Sequence, residues 1–267
     1  WLSLGFTTFQ PSEIAKIAVV LFFSSMICTY KDQMQTIRYG VVPFMVITGG
    51  IVILLMLEPH LSASIIIMAL AIVMMFVGGI KLSYLLIGMG GAGALLLIAG
   101  KFVPYVHKRI VSWRDPFADT SAAGYQIVQS LYSIGSGGFL GLGLGQSRQK
   151  YLYLPEEHND YIFSIVCEEL GYVGAVAILI LFALLICRGY WLAAHSPDRY
   201  SFLVGVGITT LLSIQVFLNI AVVTNLIPCT GISLPFFSYG GTALLMQLGE
   251  MGIILSISRD IPTKKAR

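Results

Sequence analysis

The stretch LPEEHNDYIF, residues 154–163, sets Glu156, Glu157, His158, Asn159 and Asp160 at the entry of a long apolar segment, in a chain where charge is otherwise scarce. Ionisable groups in or beside hydrocarbon cost a few kcal/mol each on insertion scales, so each marks a candidate site. On a helix continuing from Asp160, Ser164 and Glu168 follow at i+4 and i+8 on nearly one stripe, with Glu168 about 12 Å further in at 1.5 Å per residue. A carboxylate so placed has the chemistry of a general base. The structural alternative, acidic groups favoured by a helix N-terminus, accounts for Asp160 but not for Glu168 and Glu169 inside the apolar run.

Three further polar clusters stand out. In QPSEIAK, residues 10–16, Pro11 and Ser12 suit a helix start and Glu13 is favoured by the helix dipole. Lys16 opposes that dipole but sits three residues from Glu13, so it either completes an interfacial ion pair or also faces an anionic substrate. In KFVPYVHKRIVSWRDPFAD, Lys101, His107, Lys108, Arg109 and Arg114 either anchor a helix at headgroup level or, through Arg109 and Arg114, grip phosphates bidentately. In TGISLPFFSYGGT, residues 230–242, Gly240 and Gly241 permit close helix packing, and Ser238 and Tyr239 offer hydroxyl contacts to a polar cavity. Gln215, Asn219, Asn225, Gln247 and Glu250 extend such a cavity inward.

These clusters need a membrane scaffold to hold them. Of 267 residues, 57% are hydrophobic and only 11% charged, and the mean hydropathy is +0.85, which excludes an ordinary soluble domain. Seven runs are long enough to cross a roughly 30 Å hydrocarbon layer: 12–30, 39–57, 61–79, 82–104, 162–187, 200–224 and 236–257. Backbone groups in lipid must be satisfied within each run, so the fold class is all-α, a polytopic transmembrane helix bundle with one large link at 105–161. The short links at 30–38, 80–81 and 188–199 and the tail at 258–267 carry Lys31, Arg38, Lys81, Arg188, Arg199, Arg259, Lys264, Lys265 and Arg267, whereas 58–60 and 225–235 carry no Lys or Arg. The positive-inside rule puts the C-terminus in the cytoplasm and the 105–161 link outside. A first helix running inward, with no initiator Met, reads as a single transmembrane-domain fragment, residues 1–267, lacking earlier spans.

Cys28, Cys167, Cys187 and Cys229 show no paired spacing and read as small apolar residues. Neither a P-loop nor zinc-ligand spacing occurs. The glycine-rich GSGGFLGLGLG, residues 135–145, does not fit a dinucleotide fingerprint and reads as a flexible or tightly packed external loop.

FQPSEIAK, LPEEHNDYIFSIVCEELG and GISLPFFSYGGT resemble, in order and spacing, the signature segments of the SEDS (shape, elongation, division and sporulation) family represented by FtsW, RodA and SpoVE, and the likeness covers essentially the whole chain. The resemblance implies a ten-helix fold, of which the seven helices here would be the fourth to tenth, in the bacterial cytoplasmic membrane. It implies a peptidoglycan glycosyltransferase that polymerises lipid II at the outer face, in complex with a class B penicillin-binding protein and other division or elongation membrane proteins. Asp160 matches the family's catalytic aspartate, and Glu13 and Lys16 match its fourth-helix pair. His60 in LEPHLSAS departs from the Asp of many relatives. The style of YLPEEHNDYIFS leans toward the FtsW and SpoVE branch.

The expected chemistry is inverting transfer onto a sugar 4-hydroxyl, with Asp160 as base. Lys16, Arg109 and Arg114 face the diphosphate, and Glu13, His158 and Ser238 complete the substrate site. No dedicated metal ligands are read from the sequence, though Mg or Mn could assist, and no nucleic acid is expected. The rival readings are a lipid II flippase and a non-catalytic scaffold of the division machinery.

Overall fold

The computed structural model describes residues 2–261 apart from 4–7, 59–60, 103, 119–121, 150–153 and 156–157, so His60, Glu156 and Glu157 lie outside the described residues. A two-residue antiparallel ladder, β1 (Leu2–Ser3) with β2 (Thr8–Phe9), precedes α1 (Pro11–Tyr30), α2 (Val42–Leu57), α3 (Leu61–Val77) and α4 (Leu82–Phe102). Then come α5 (Pro104–Arg114), α6 (Ala122–Ser136), α7 (Ile162–Ala194), α8 (Arg199–Val223) and α9 (Gly241–Arg259). Pro11 occupies the first turn of α1, as its fixed φ and missing N–H favour.

Among the described residues, Pro11–Gln35, Ile37–Leu57, Ile162–Ala194, Arg199–Val223 and Gly241–Arg259 are long and apolar enough to cross a membrane, and Leu61–Val77 and Leu82–Gly91 are shorter apolar helices. Each of the seven expected segments therefore contains a helix, and the chain is a multi-pass helical membrane protein with one two-residue ladder. Exposed side chains such as Val46, Leu57, Ile87 and Leu181 are the lipid-facing surface such a protein requires.

The chain packs as two compact units. One comprises Trp1–Met89, Leu184–Ile214 and Gly240–Arg267, and the other Gly90–Ala183 and Gln215–Tyr239. Within the first, Phe23 of α1 meets Phe44 of α2 edge to face at 4.8 Å. Small residues set the crossings: a Cβ on Gly207 of α8 would stand 2.5 Å from Val20 and 2.9 Å from the Met74 sulfur. The same unit holds the turn into α8, where the Asp198 carboxylate accepts the Ser201 N–H at 2.8 Å. That bond, before any other cause, holds the Asp198 carboxyl below its usual range. A depressed folded-state pKa contributes stability above the ordinary aspartate range, lost as pH falls through the lower folded value. Asp198→Ala is expected to lower stability by about 1 kcal/mol at pH 7, with the gap from the parent closing in melts at progressively lower pH.

The second unit corrects three expectations. The link 105–161 contains α5 and α6. The segment 230–240 is an irregular turn, with Phe236 at φ 65°, so the last span begins at Gly241 and not near 236. Most consequentially, α7 does not run unbroken from Asp160: it starts at Ile162, and Gly171 (φ 66°, ψ −169°) divides it. Residues 172–194 alone reach about 34 Å at 1.5 Å per residue, enough to cross the bilayer, so Glu168 and Glu169 precede the crossing portion.

Loop 137–143 closes the break by supplying the missing helical partners. The amides of Leu142 and Gly143 donate to the carbonyls of Glu168 and Glu169 (both 3.0 Å), and those of Tyr172 and Val173 donate to Gly138 and Phe139 (2.9 and 3.2 Å). Backbone approaches so closely that only glycine fits: a Cβ on Gly137 would lie 2.0 Å from the Cys167 carbonyl oxygen, and one on Gly171 would lie 2.3 Å from the Gly141 nitrogen. The glycine-rich run is thus tightly packed. Gly171→Ala is expected to destabilise by roughly 2–3 kcal/mol, since it adds left-handed backbone strain to that contact. Gly135→Ala, with nothing within 4 Å, serves as the control in thermal melts of the purified protein.

Candidate functional site

Asp160 is held by its own backbone. Three consecutive carbonyls ahead of α7 each accept a donor from the α8–α9 region: His158 from the Tyr239 N–H (2.8 Å), Asn159 from the Ser238 hydroxyl (2.7 Å) and Asp160 from the Asn219 side-chain amide (2.8 Å). Ser238 also accepts the Leu234 N–H at 2.7 Å, and Asn219 also donates to the Ile232 carbonyl at 2.6 Å. The turn at 230–239 and the strip 158–160 are therefore cross-braced, with the Asp160 side chain half-buried and His158 exposed.

Tyr161 anchors the strip from beneath. Its ring is fully buried and its hydroxyl donates to the Cys229 sulfur at 3.2 Å. Burial raises the Tyr161 pKa well above its ordinary value; Cys229 and the Asp160 carboxylate add to the rise and the Arg109 guanidinium opposes it. Asp160 and Arg109 thus bear on the same hydroxyl and share one neighbourhood. Arg109 donates to the Cys229 carbonyl, and Trp113 donates its indole N–H to the Asn225 carbonyl at 3.0 Å, which fastens α5 to the 225–229 turn. Arg114, the last residue of α5, is exposed.

The expected stripe Asp160–Ser164–Glu168 does not form a catalytic line. Ser164 lies buried against Ser130, their hydroxyl oxygens 2.6 Å apart, and Ser130 also donates to the Val223 carbonyl. Glu168, 1% exposed, accepts the Ser133 and Ser147 hydroxyls and the Arg148 and Gln149 N–H groups. Glu169 takes the Gly145 and Ser147 N–H groups. Both carboxylates fasten loop 145–149 to α7, and the helix break made that possible.

The other unit holds Glu13 and Lys16 as a buried ion pair, 2.7 Å apart, one turn into α1. Glu250 of α9, 2% exposed, lies where the charges of both act on it. Glu250 Oε2 accepts no hydrogen bond. The sequence had placed Glu250 only in a general polar cavity.

Sequence reasoning gave no part to Tyr161, Cys229, Trp113, Ser130 or Ser133. Asn219, flagged for polarity, and Ser238, expected in the substrate site, both brace backbone carbonyls. The described residues contain no group of three or more His, Cys, Asp or Glu side chains that could hold a metal ion.

Residues 1–262 match the FtsW/RodA/SpoVE family, described as cell cycle proteins. The chain belongs to this family. Stage V sporulation protein E of Bacillus subtilis is 43% identical over 97% of the chain and 71% of the relative's length. A probable peptidoglycan glycosyltransferase FtsW of Geobacter sp. (strain M18) is 39% identical over 97% and 70%. Among solved structures, a chain of a peptidoglycan synthase complex that coordinates polymerization and crosslinking superposes with a TM-score of 0.81 at 30% identity, covering 99% of this chain and 74% of that one. Thermus thermophilus rod shape-determining protein RodA superposes with a TM-score of 0.64 at 27% identity, covering 99% and 70%.

Proposed function

We propose that this FtsW/RodA/SpoVE-family chain is a peptidoglycan glycosyltransferase that polymerises lipid II into glycan strands at the outer face of the bacterial cytoplasmic membrane. The observation that carries the reading is the three-carbonyl brace on residues 158–160. It fixes the backbone of Asp160 in advance, and the Asp160 carboxylate and the Arg109 guanidinium both act on the Tyr161 hydroxyl, so a base and a cation serve one neighbourhood.

The acceptor's 4-hydroxyl attacks the donor's anomeric carbon. Its proton passes to the Asp160 carboxylate, the new glycosidic C–O bond forms, and the bond to the polyprenyl diphosphate breaks. Direct displacement from an α-linked donor inverts the anomeric centre and needs a single base. Arg109 offsets the charge developing on the diphosphate, and Arg114 meets it at the exposed end of α5. Glu13 orients Lys16. Ser238 acts through the position of Asn159, and His158 borders the approach to Asp160. The positive-inside rule reads the basic links at 30–38 and 188–199 as cytoplasmic, and in this proposal Asp160 faces the outside. The partner is a class B penicillin-binding protein, in keeping with the synthase complex that this chain resembles.

The test is lipid II polymerisation by the complete protein reconstituted in proteoliposomes, with and without that transpeptidase. Glycan strands are expected on gels, increased by the partner. Labelled lipid II crossing the bilayer with no polymer formed would establish a transporter instead.

A further inference from the structure

A second site lies in the other unit, away from Glu13 and Lys16. A cavity of about 380 Å³ opens between α7, α8 and α9 near the end that carries the basic links, within the range of small-ligand sites. Its lining is graded along the membrane normal. The polar groups Arg188, Thr209 and Ser258 stand toward the basic end, with Leu192 beside them, while Leu185, Leu212 and Met251 lie deeper. The level is fixed by the crossing of α7 and α8, where a Cβ on Gly189 would stand 2.6 Å from the Thr209 hydroxyl oxygen. Arg188 is six residues from the end of α7, about 9 Å along the axis. Met251 is seven residues above Ser258, about 10 Å.

Two observations point to an occupant. Thr209, 1% exposed, lines the cavity, and its buried hydroxyl oxygen has no hydrogen-bond partner. The lining carries a single charge, the Arg188 guanidinium, which lies over the Trp191 ring at 4.2 Å, and Trp191 in turn stacks on His195 at 4.2 Å. That stack fixes the guanidinium at interfacial depth and presents it as a rigid cation, the geometry suited to phosphate. Asp32, Asp198 and Asp260 are the acidic residues at this end. None lines the cavity, and Asp198 is engaged in capping α8.

We propose that this cavity binds one anionic phospholipid of the leaflet at the basic end, with its phosphate on Arg188, its ester region at Thr209 and Ser258, and an acyl chain running up past Leu185, Leu212 and Met251. The polar-to-apolar grading matches a phospholipid from headgroup to tail. A soluble anion would leave the apolar depth unfilled, and an uncharged lipid would leave Arg188 unmatched.

The complete protein in nanodiscs is photolabelled with phosphatidylglycerol bearing a diazirine in one acyl chain, or with phosphatidylcholine labelled identically, and adducts are mapped by mass spectrometry. Adducts are expected on peptides spanning 185–192, 209–212 and 251–258. Phosphatidylglycerol should be favoured about fivefold, equivalent to roughly 1 kcal/mol for one basic side chain at a membrane surface. Arg188→Gln, a change at an exposed position, should erase the headgroup preference and retain labelling by both lipids. Met251→Trp should fill the tail region and remove labelling by both. Equal labelling of the parent by the two lipids, an unchanged preference in Arg188→Gln, or displacement by millimolar glycerol phosphate would each overturn the proposal.

Discussion

Asp160→Asn is expected to lower the rate of lipid II polymerisation by roughly 10²- to 10⁴-fold, the usual contribution of a positioned general base. The substitution preserves volume, and the brace around residue 160 uses the backbone carbonyl and not the carboxylate, so the variant should fold and melt like the parent. Two further readouts separate a lost base from a disturbed site. The parent's rate should fall on the acid side as the carboxylate takes up a proton, and the residual activity of Asp160→Asn should lose that limb. Asn219→Ala, which removes the donor to the 160 carbonyl and keeps the carboxylate, should reduce the rate yet retain the acid limb, because it displaces the base and leaves its chemistry intact. A variant Asp160→Asn that elongates glycan at the parent's rate would remove this residue from the reaction.

Glu168→Ala is expected to be the most destabilising single change. It takes the shared carboxylate from the Ser147 hydroxyl and the Arg148 and Gln149 amides, while Ser133 keeps the Ser164 carbonyl. Each of the three losses costs about 1–3 kcal/mol, so the total exceeds roughly 3 kcal/mol, a large loss for one substitution. Glu168→Gln retains one carbonyl oxygen but sets an NH₂ against the existing donors, and should fall between. Thermal melts of the purified protein measure the order parent, Gln, Ala. Limited proteolysis within 144–149 should begin in Glu168→Ala at temperatures where the parent resists. Equal melting of Glu168→Ala and the parent would show that the carboxylate does not hold this loop.

The contrast between these two acids marks how far the sequence could be read. Apolar run length located the five helices that are long and apolar enough to cross among the described residues, because a bilayer imposes that length whatever the neighbours are. Pro11 and Glu13 announced the start of α1 through local chemistry, and the structure bears them out. Glu168 was misread because its donors come from residues 133–149, which helical spacing does not reveal, and the break at Gly171 likewise depends on a loop some thirty positions earlier. A glycine in an apolar run signals either a crossing or a break, and its own neighbours do not say which. Asn219 and Ser238 were noticed for polarity, but their partners are main-chain carbonyls at 158–160, and carbonyls have no letter in the sequence. The helices α5 and α6 were missed because the link had been classed by charge and length.

The splice at Gly171 also governs how the molecule comes apart. The amides at 142–143 and 172–173 are bonded across the gap instead of along one ladder, so a single event exposes all four together. In hydrogen–deuterium exchange they should report one shared opening energy, unlike the staggered fraying of an ordinary helix end. Heat would then act there as on a latch, which either holds both halves of the helix or releases them at once.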